Sequence, residues 1–223
     1  MKTIVFQLCL FFLFCPFSYA QNIKQIDSLT AKMCASLANL KAIKDDVQVT
    51  LLFQKHLPGF YDQLGIASQE KADSIKDLVY YRLQRNCNEF TSLLSKLDTN
   101  KSDWNTLTDK PKISIGAKQC KVMSKGGRFF YKEYNGNIVK VTIGNNFWEE
   151  TFEDGTQSKL SFIPKNNCEF DLNFIESNNE MRKNFSVSGD VYNYGMFSYR
   201  DKIYELWVFS KGVYYTFRLY ETE

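Results

Sequence analysis

Hydrophobic residues recur every three or four positions in the first half of the chain and at alternate positions in the second half. The clearest helical run steps by 3, 4, 4 and 3 residues, through Ile26, Leu29, Met33, Leu37 and Leu40. Residues at this spacing share one face of an α-helix. A first amphipathic helix is therefore predicted near the start of the chain.

Two further helices are predicted before residue 100. Asp45-Asp46 suits the first turn of a second helix, because acidic side chains are favourable at the positive N-terminal end. Pro58-Gly59 breaks and turns a chain, so this helix is expected to end at Leu57. Ser68 is a predicted N-cap for a long third helix. Its apolar stripe continues to Leu97.

The second half is predicted to be an antiparallel β structure. Phe170, Leu172 and Phe174 alternate with polar residues, which is typical of a strand with one buried face. Hairpin signals such as Asn135-Gly136 separate neighbouring strands. The predicted strands are Arg128–Tyr134, Asn137–Ile143, Phe147–Phe152, Ser158–Ile163, Glu169–Glu176, Val187–Ser198, Ile203–Phe209 and Val213–Tyr220. No long crossover is visible, so we expect an up-and-down barrel, with a sandwich as the alternative.

Aromatic composition divides the chain in the same place. Residues 21–127 contain seven aromatic residues, whereas residues 128–223 contain 22. Two segments this unlike suggest two modules. We therefore predict an α+β protein, with a helical module at 21–108 and a β module at 112–223.

The first twenty residues have the pattern of a secretory signal peptide. Lys2 is followed by an apolar run from Ile4 to Phe14, and Ser18-Tyr19-Ala20 places small residues before a cleavage site. The apolar run is shorter than the roughly 20 residues that span a membrane. We therefore expect residues 1–20 to be removed and the mature chain to be exported, to the periplasm or outside the cell.

Cysteine usage fits an exported protein. Of six cysteines, Cys9 and Cys15 lie in the predicted signal peptide. The four that remain are Cys34, Cys87, Cys120 and Cys168. Their wide spacing favours disulfides over zinc, which usually uses close cysteine pairs. Of the three possible pairings, Cys34–Cys87 with Cys120–Cys168 keeps each bond inside one module, and we predict that pairing.

Charge and titratable residues exclude several function classes. The 28 basic and 25 acidic residues nearly balance, which argues against a chain built mainly for nucleic acid. His56 is the single histidine, and its place near the predicted helix end suits a structural role. Glu149-Glu150 and Glu153-Asp154 are interpreted as a solvated turn. No catalytic motif accompanies them, so we predict no enzyme activity, metal site or cofactor.

Short motifs in the β module resemble small exported bacterial lipocalin-like proteins. Cys120 lies in a short lead-in, Gly127-Arg128-Phe129 opens a strand, and Cys168 begins a C-x-F-x-L strand that ends at Leu172. The similarity covers roughly residues 118–223, with Phe129 where the lipocalin signature has tryptophan. It implies a barrel of the calycin type that holds a small apolar ligand.

The last strand contains a candidate ligand-binding pair. Arg218 and Tyr220 are similar to the arginine and tyrosine of fatty-acid-binding proteins, which face the barrel interior and hold a carboxylate. In the opposite register Phe217 and Leu219 face inward and Arg218 is solvated. Alternation favours this second register.

Aromatic residues of the last three strands are further candidates. They are Tyr192, Tyr194, Phe197, Tyr204, Trp207 and Tyr215. These rings could line a ligand cavity, fill a solid core or form an exposed face. The leading hypothesis is therefore a non-enzymatic protein that binds a small apolar ligand. The alternative is an envelope or extracellular protein that contacts another protein through its helices or its aromatic β face.

Overall fold

The chain forms a group of α-helices followed by an antiparallel barrel, so the predicted α+β class is confirmed. The computed structural model describes residues 17–97, 103–144 and 146–222. Residues 1–16 of the predicted signal peptide lie outside the described residues. Its predicted cleavage site, after Ala20, falls near the start of the first helix.

The N-terminal helices surround a core of their own. They are α1 (Phe17–Leu37), α2 (Asp45–Leu64), α3 (Gln69–Asn86) and α4 (Asn88–Leu97), with a short 3-10 turn at Ala38–Leu40. Met33, Leu52 and Leu83 are completely buried between them, together with Phe90. The predicted disulfide Cys34–Cys87 is present and joins α1 to the residue that follows α3.

Helix α2 does not end where its proline suggests. The prediction of an end at Leu57 is wrong, because the helix continues through Pro58 to Leu64. Leu57 and Phe60 are both buried, whereas Pro58 is exposed, so core packing on one face outweighs the hydrogen bond that proline removes. The helix ends instead at Gly65, whose φ of 64° is the left-handed conformation that glycine adopts without strain.

The predicted third helix is divided into α3 and α4. Cys87 has extended backbone angles, φ −128° and ψ 112°, and interrupts the helix at the point where it is bonded to Cys34. The predicted cap at Ser68 is confirmed, since its side chain accepts a hydrogen bond from the Lys71 amide. The predicted acidic first turn of α2 is also present.

The barrel is built from sequential antiparallel strands. They are β1 (Asn105–Leu107), β2 (Gly127–Lys132), β3 (Ile138–Gly144), β4 (Phe147–Thr151), β5 (Gln157–Pro164), β6 (Glu169–Ser177), β7 (Val191–Arg200), β8 (Ile203–Ser210) and β9 (Val213–Glu221). Strands β2 to β9 each pair with the next, and β9 returns to β2, so the sheet closes. Strand β1, which falls in the range predicted to be helical, pairs with β9.

Side chains at alternate positions fill the barrel. Phe170, Leu172 and Phe174 are 1 %, 2 % and 6 % exposed, as the alternation predicts. Phe217 and Leu219 are equally buried. The inward face of β9 therefore belongs to the apolar residues.

Two short helices that the sequence pattern did not predict lie outside the strands. Helix α5 (Ala117–Ser124) packs at one end of the barrel, where Met123 is completely buried and Cys120 is bonded to Cys168. Helix α6 (Glu180–Phe185) connects β6 to β7 and lies against α3. The helical module thus meets the barrel at the end opposite α5.

Charged side chains hold the helices to this end of the barrel. Arg85 on α3 forms a bidentate ion pair with Asp190, and it also donates to the Phe185 carbonyl at 2.7 Å. Lys211, in the β8–β9 hairpin, donates to the Gln84 carbonyl and to Thr91 Oγ1. Among the described helices, none is long and apolar enough to cross a membrane.

Candidate functional site

A cavity of about 610 Å³ lies between the open end of the barrel and the helices α3 and α4. The helix side is formed by residues that include Tyr80, Leu94 and Ser95. The barrel side is mostly aromatic, with Tyr131, Trp148, Phe174, Tyr194, Tyr215 and Phe217. The wall is therefore an apolar surface interrupted by a few polar groups.

The rings in the wall are stacked in a defined arrangement. Tyr194 is parallel to Phe170, with centroids 5.3 Å apart and planes 10° apart. Trp148 lies 6.5 Å from Tyr194 at 26°. On the neighbouring wall, Trp104 stacks on Phe217 at 4.7 Å. Aromatic pairs in such stacked arrangements stabilise one another beyond the burial of their apolar area.

Trp104 closes a gap in the wall and was not identified from the sequence. Strand β9 pairs with β2 only near its end, at Tyr220 and Glu221, and β1 occupies its other half. The Trp104 indole N–H donates to the Lys132 carbonyl at the end of β2, at 2.6 Å. A lone tryptophan in the polar segment between the modules was the signal that could have identified it.

A polar cluster of five side chains lies beside these rings. Tyr131 donates to Glu150 Oε1 at 3.0 Å, and Trp148 Nε1 lies 3.4 Å from the same oxygen. Arg182 Nη2 donates to the Tyr131 hydroxyl at 2.7 Å and to Glu133 Oε1 at 3.2 Å. Arg182 Nε is 3.5 Å from Glu150 Oε2. The interpretation of Glu149-Glu150 as a solvated turn is therefore wrong for Glu150, whose side chain is 13 % exposed.

Burial and mutual attraction set the protonation of this cluster. Burial raises the pKa of the Tyr131 hydroxyl, so it remains a neutral donor. Burial also raises the pKa of Glu133, although the Arg182 charge opposes this effect. Burial alone would lower the pKa of Arg182, but Tyr131 and the two carboxylates more than compensate and hold it above its usual value. The guanidinium therefore stays charged.

The predicted aromatic ligand residues occupy different parts of the barrel. Tyr194 and Tyr215 line the cavity. Tyr204 is buried in the core near α5 and donates to the Gln119 carbonyl at 3.4 Å. Trp207 packs over Gly195 and lies outside the cavity, with the Lys110 ammonium 4.9 Å from the ring centroid.

Arg218 and Tyr220 lie on the outer face of β9. The Tyr220 hydroxyl contacts the two carboxylate oxygens of Asp103 at 2.9 and 3.0 Å, and Arg218 Nη1 is 3.5 Å from the same carboxylate. Phe217 and Leu219 occupy the inward positions. The pair thus fastens the segment before β1 to the barrel wall and does not border the cavity.

Two other clusters of reactive side chains lie within the helices. His56 Nε2 is 2.9 Å from Ser36 Oγ, and burial followed by the Lys55 charge lowers the pKa of His56. Cys34, Cys87 and Glu89 lie close together, but the two sulfur atoms are bonded to each other and offer no thiolate. Neither cluster borders the cavity.

Comparison of the chain with protein-family models, with curated proteins and with solved structures found no match. The case for a function therefore depends on the geometry of the cavity.

Proposed function

We propose that this protein is an exported, non-enzymatic binding protein that holds a small, largely apolar ligand in the cavity between barrel and helices. The observation that carries the proposal is the cavity itself, of about 610 Å³ and lined mainly by aromatic rings. Ligand sites of small molecules are typically apolar clefts of roughly 300–1,000 Å³ with a few placed polar groups. The similarity of the β module to lipocalin-like proteins implies the same activity.

The polar groups in the cavity favour binding over catalysis. Tyr131 and Glu150 are hydrogen-bonded to each other, and Arg182 is paired with both carboxylates of the cluster. A general acid or base needs to reach a reacting atom of the substrate. Groups that are already engaged with one another supply rigidity and orientation.

Export is supported by the chemistry of the cysteines. Two disulfides, one in each module, suit an oxidising compartment such as the periplasm or the extracellular space. The signal-peptide pattern of residues 1–20 agrees with this location.

The proposal is tested by blocking the cavity from the helix side. Ser95 on α4 lines the cavity, whereas Ser92 on the same helix is exposed and lies outside it. The neutral fluorescent probe N-phenyl-1-naphthylamine should bind the wild type at one site per chain. Ser95→Trp should abolish that binding, and the matched variant Ser92→Trp should retain it, with circular dichroism confirming that both fold.

Native mass spectrometry of the protein purified from an exporting host provides a second measurement. We expect a retained small molecule on the wild type and on Ser92→Trp, and a bare chain for Ser95→Trp. Probe binding that is equal in the two variants, or no binding to the wild type, would refute the proposal. A bare wild-type chain that forms a stoichiometric protein complex would support the alternative role in protein–protein contact.

A further inference from the structure

The unused hydrogen-bonding capacity of the cavity indicates what kind of ligand it takes. Arg182 uses Nη2 and Nε for its contacts with Tyr131, Glu133 and Glu150. The guanidinium lies over the Phe152 ring, 5.3 Å from its centroid, and among the described residues Nη1 makes no hydrogen bond. A guanidinium nitrogen only donates, so this group can contact only an acceptor on a ligand.

Tyr194 offers a second unused donor. Its ring is stacked between Phe170 and Trp148, and its side chain lines the cavity. Within the described part of the chain, its hydroxyl has no hydrogen-bond partner. Burial, followed by the Glu150 charge, raises its pKa, so the hydroxyl keeps its proton. Trp148 stacks on Tyr194, its Nε1 lies 3.4 Å from Glu150, and Arg182 pairs with Glu150, so the two donors border the same part of the cavity.

The charge of this neighbourhood disfavours an anion. One guanidinium, on Arg182, faces the carboxylates of Glu133 and Glu150, which leaves a net charge of −1 when all three are ionised. Among the described residues, the other cation that borders the cavity is Lys211, in the β8–β9 hairpin where it meets the helices. Its hydrogen bonds go to Gln84 and Thr91, and its electrostatic partners are Arg85 and Glu89. The Lys211 charge therefore belongs to the contact between the modules.

We infer that the cavity takes an uncharged, ring-bearing ligand whose carbonyl or hydroxyl oxygen accepts hydrogen bonds from Arg182 Nη1 and the Tyr194 hydroxyl. The inference rests on the proposed binding function and defines its ligand class. The stacked rings favour a flat ligand ring, because offset stacking adds to the burial of apolar area. A fatty-acid carboxylate is excluded from this class, since Glu150 borders the cavity and the Arg182 charge is already shared between Glu150 and Glu133.

The test compares three probes that carry the same ring. They are naphthalene, 1-acetylnaphthalene and 1-naphthoate, titrated into the mature chain with quenching of tryptophan fluorescence as the readout. 1-Acetylnaphthalene should bind about 25-fold tighter than naphthalene, about fivefold for each of its two net hydrogen bonds. It should bind about tenfold or more tighter than 1-naphthoate, because of charge repulsion in a low-dielectric site.

Two variants assign the effect to named groups. Tyr194→Phe keeps the ring and should lower the preference for 1-acetylnaphthalene over naphthalene about fivefold, because the hydrogen bond from Arg182 remains. The control Tyr220→Phe removes a tyrosine hydroxyl on the outer face of β9, outside the cavity, and should leave the preference in place. Glu133→Gln makes the cluster neutral and should strengthen the binding of 1-naphthoate about tenfold.

The outcomes separate this inference from the function on which it rests. If 1-naphthoate binds tightest to the wild type, the ligand class is overturned and the binding function stands. If N-phenyl-1-naphthylamine binds but Tyr194→Phe leaves the three probe affinities unchanged, the assignment of the donors is overturned. If neither that probe nor any naphthalene binds, the proposed function itself fails.

Discussion

Arg182 on α6 is expected to be highly sensitive to substitution, because its guanidinium is paired with two carboxylates. Replacement by Met keeps a long apolar side chain and removes the charge. The variant loses the hydrogen bonds to Tyr131 and Glu133 and the ion pair with Glu150. It also leaves the carboxylates of Glu133 and Glu150 without their shared counter-ion.

The structure sets the size of the effect. Breaking a buried ion pair by removing one partner costs about 3–5 kcal/mol, mostly because the remaining charge is uncompensated. The Arg182 side chain is 26 % exposed, so we take the lower end of this range, about 3 kcal/mol. Lys183→Met is the matched control on the same helix. Its ion pair with Glu180 is exposed at 41 % and 62 %, and surface pairs contribute less than about 1 kcal/mol.

The assay is unfolding by guanidinium chloride at pH 7 and at pH 5, followed by tryptophan fluorescence. In the wild type, burial raises the pKa of Glu133 while the Arg182 charge lowers it. Removing Arg182 therefore raises that pKa further. A carboxyl group with a raised folded-state pKa destabilises the protein as the pH rises from the unfolded-state to the folded-state value. The loss of unfolding free energy in Arg182→Met should therefore be largest at pH 7 and smaller at pH 5.

A partner variant isolates the uncompensated charge. Adding Glu133→Gln to Arg182→Met should restore about 1–2 kcal/mol of the unfolding free energy at pH 7. One of the two unpaired carboxylates is then replaced by a neutral amide. An Arg182→Met deficit of less than about 1 kcal/mol, or one that grows on acidification, would refute the description of the cluster as a buried charge network.

Three further changes test other contacts. A Cβ on Gly195 would lie 2.4 Å from the Trp207 ring, so Gly195→Ala should cost about 1–3 kcal/mol in denaturant unfolding, whereas Gly59→Ala, with open space around it, should be neutral or stabilising. Burial, followed by the charge of Arg85, lowers the pKa of Lys211 to about 8. The unfolding free energy of the wild type should therefore rise by up to about 1 kcal/mol relative to that of Lys211→Met between pH 7.5 and 9.5. A difference that stays constant with pH would contradict this. Trp104→Phe keeps the stacked ring and loses the indole hydrogen bond, so thermal unfolding should show a loss of about 1 kcal/mol, and an unchanged melting temperature would show that the bond contributes nothing.

Local patterns predicted those features of the fold that depend on one buried face. Phe170, Leu172 and Phe174 alternate because one side of β6 packs in the core, and a slip of one residue would expose all three. The same argument places Phe217 inward and Arg218 outward on β9. Disulfide pairing followed from the division into modules, since each bond stays inside one module although it joins cysteines 53 or 48 residues apart.

Contacts between distant segments decided the features that were missed. Pro58 favours a helix end locally, but the burial of Leu57 and Phe60 on one face continues the helix. The cavity cluster joins Tyr131 to Glu150, 19 residues away, and to Arg182, 51 residues away. Neither separation corresponds to a helical or strand repeat, so hydrophobic periodicity does not predict the polar cluster.

The helical module completes the cavity and does more than extend the barrel. Its residues Tyr80, Leu94 and Ser95 form one wall of the cavity, and the rings opposite them would otherwise meet solvent. Lys211 reaches both α3 and α4 through the Gln84 carbonyl and Thr91 Oγ1. The hairpin that carries Lys211 also begins strand β9, whose Tyr215 lines the cavity. The same contacts that hold the modules together therefore set the shape of the cavity, and any opening of the helices changes the space available to a ligand.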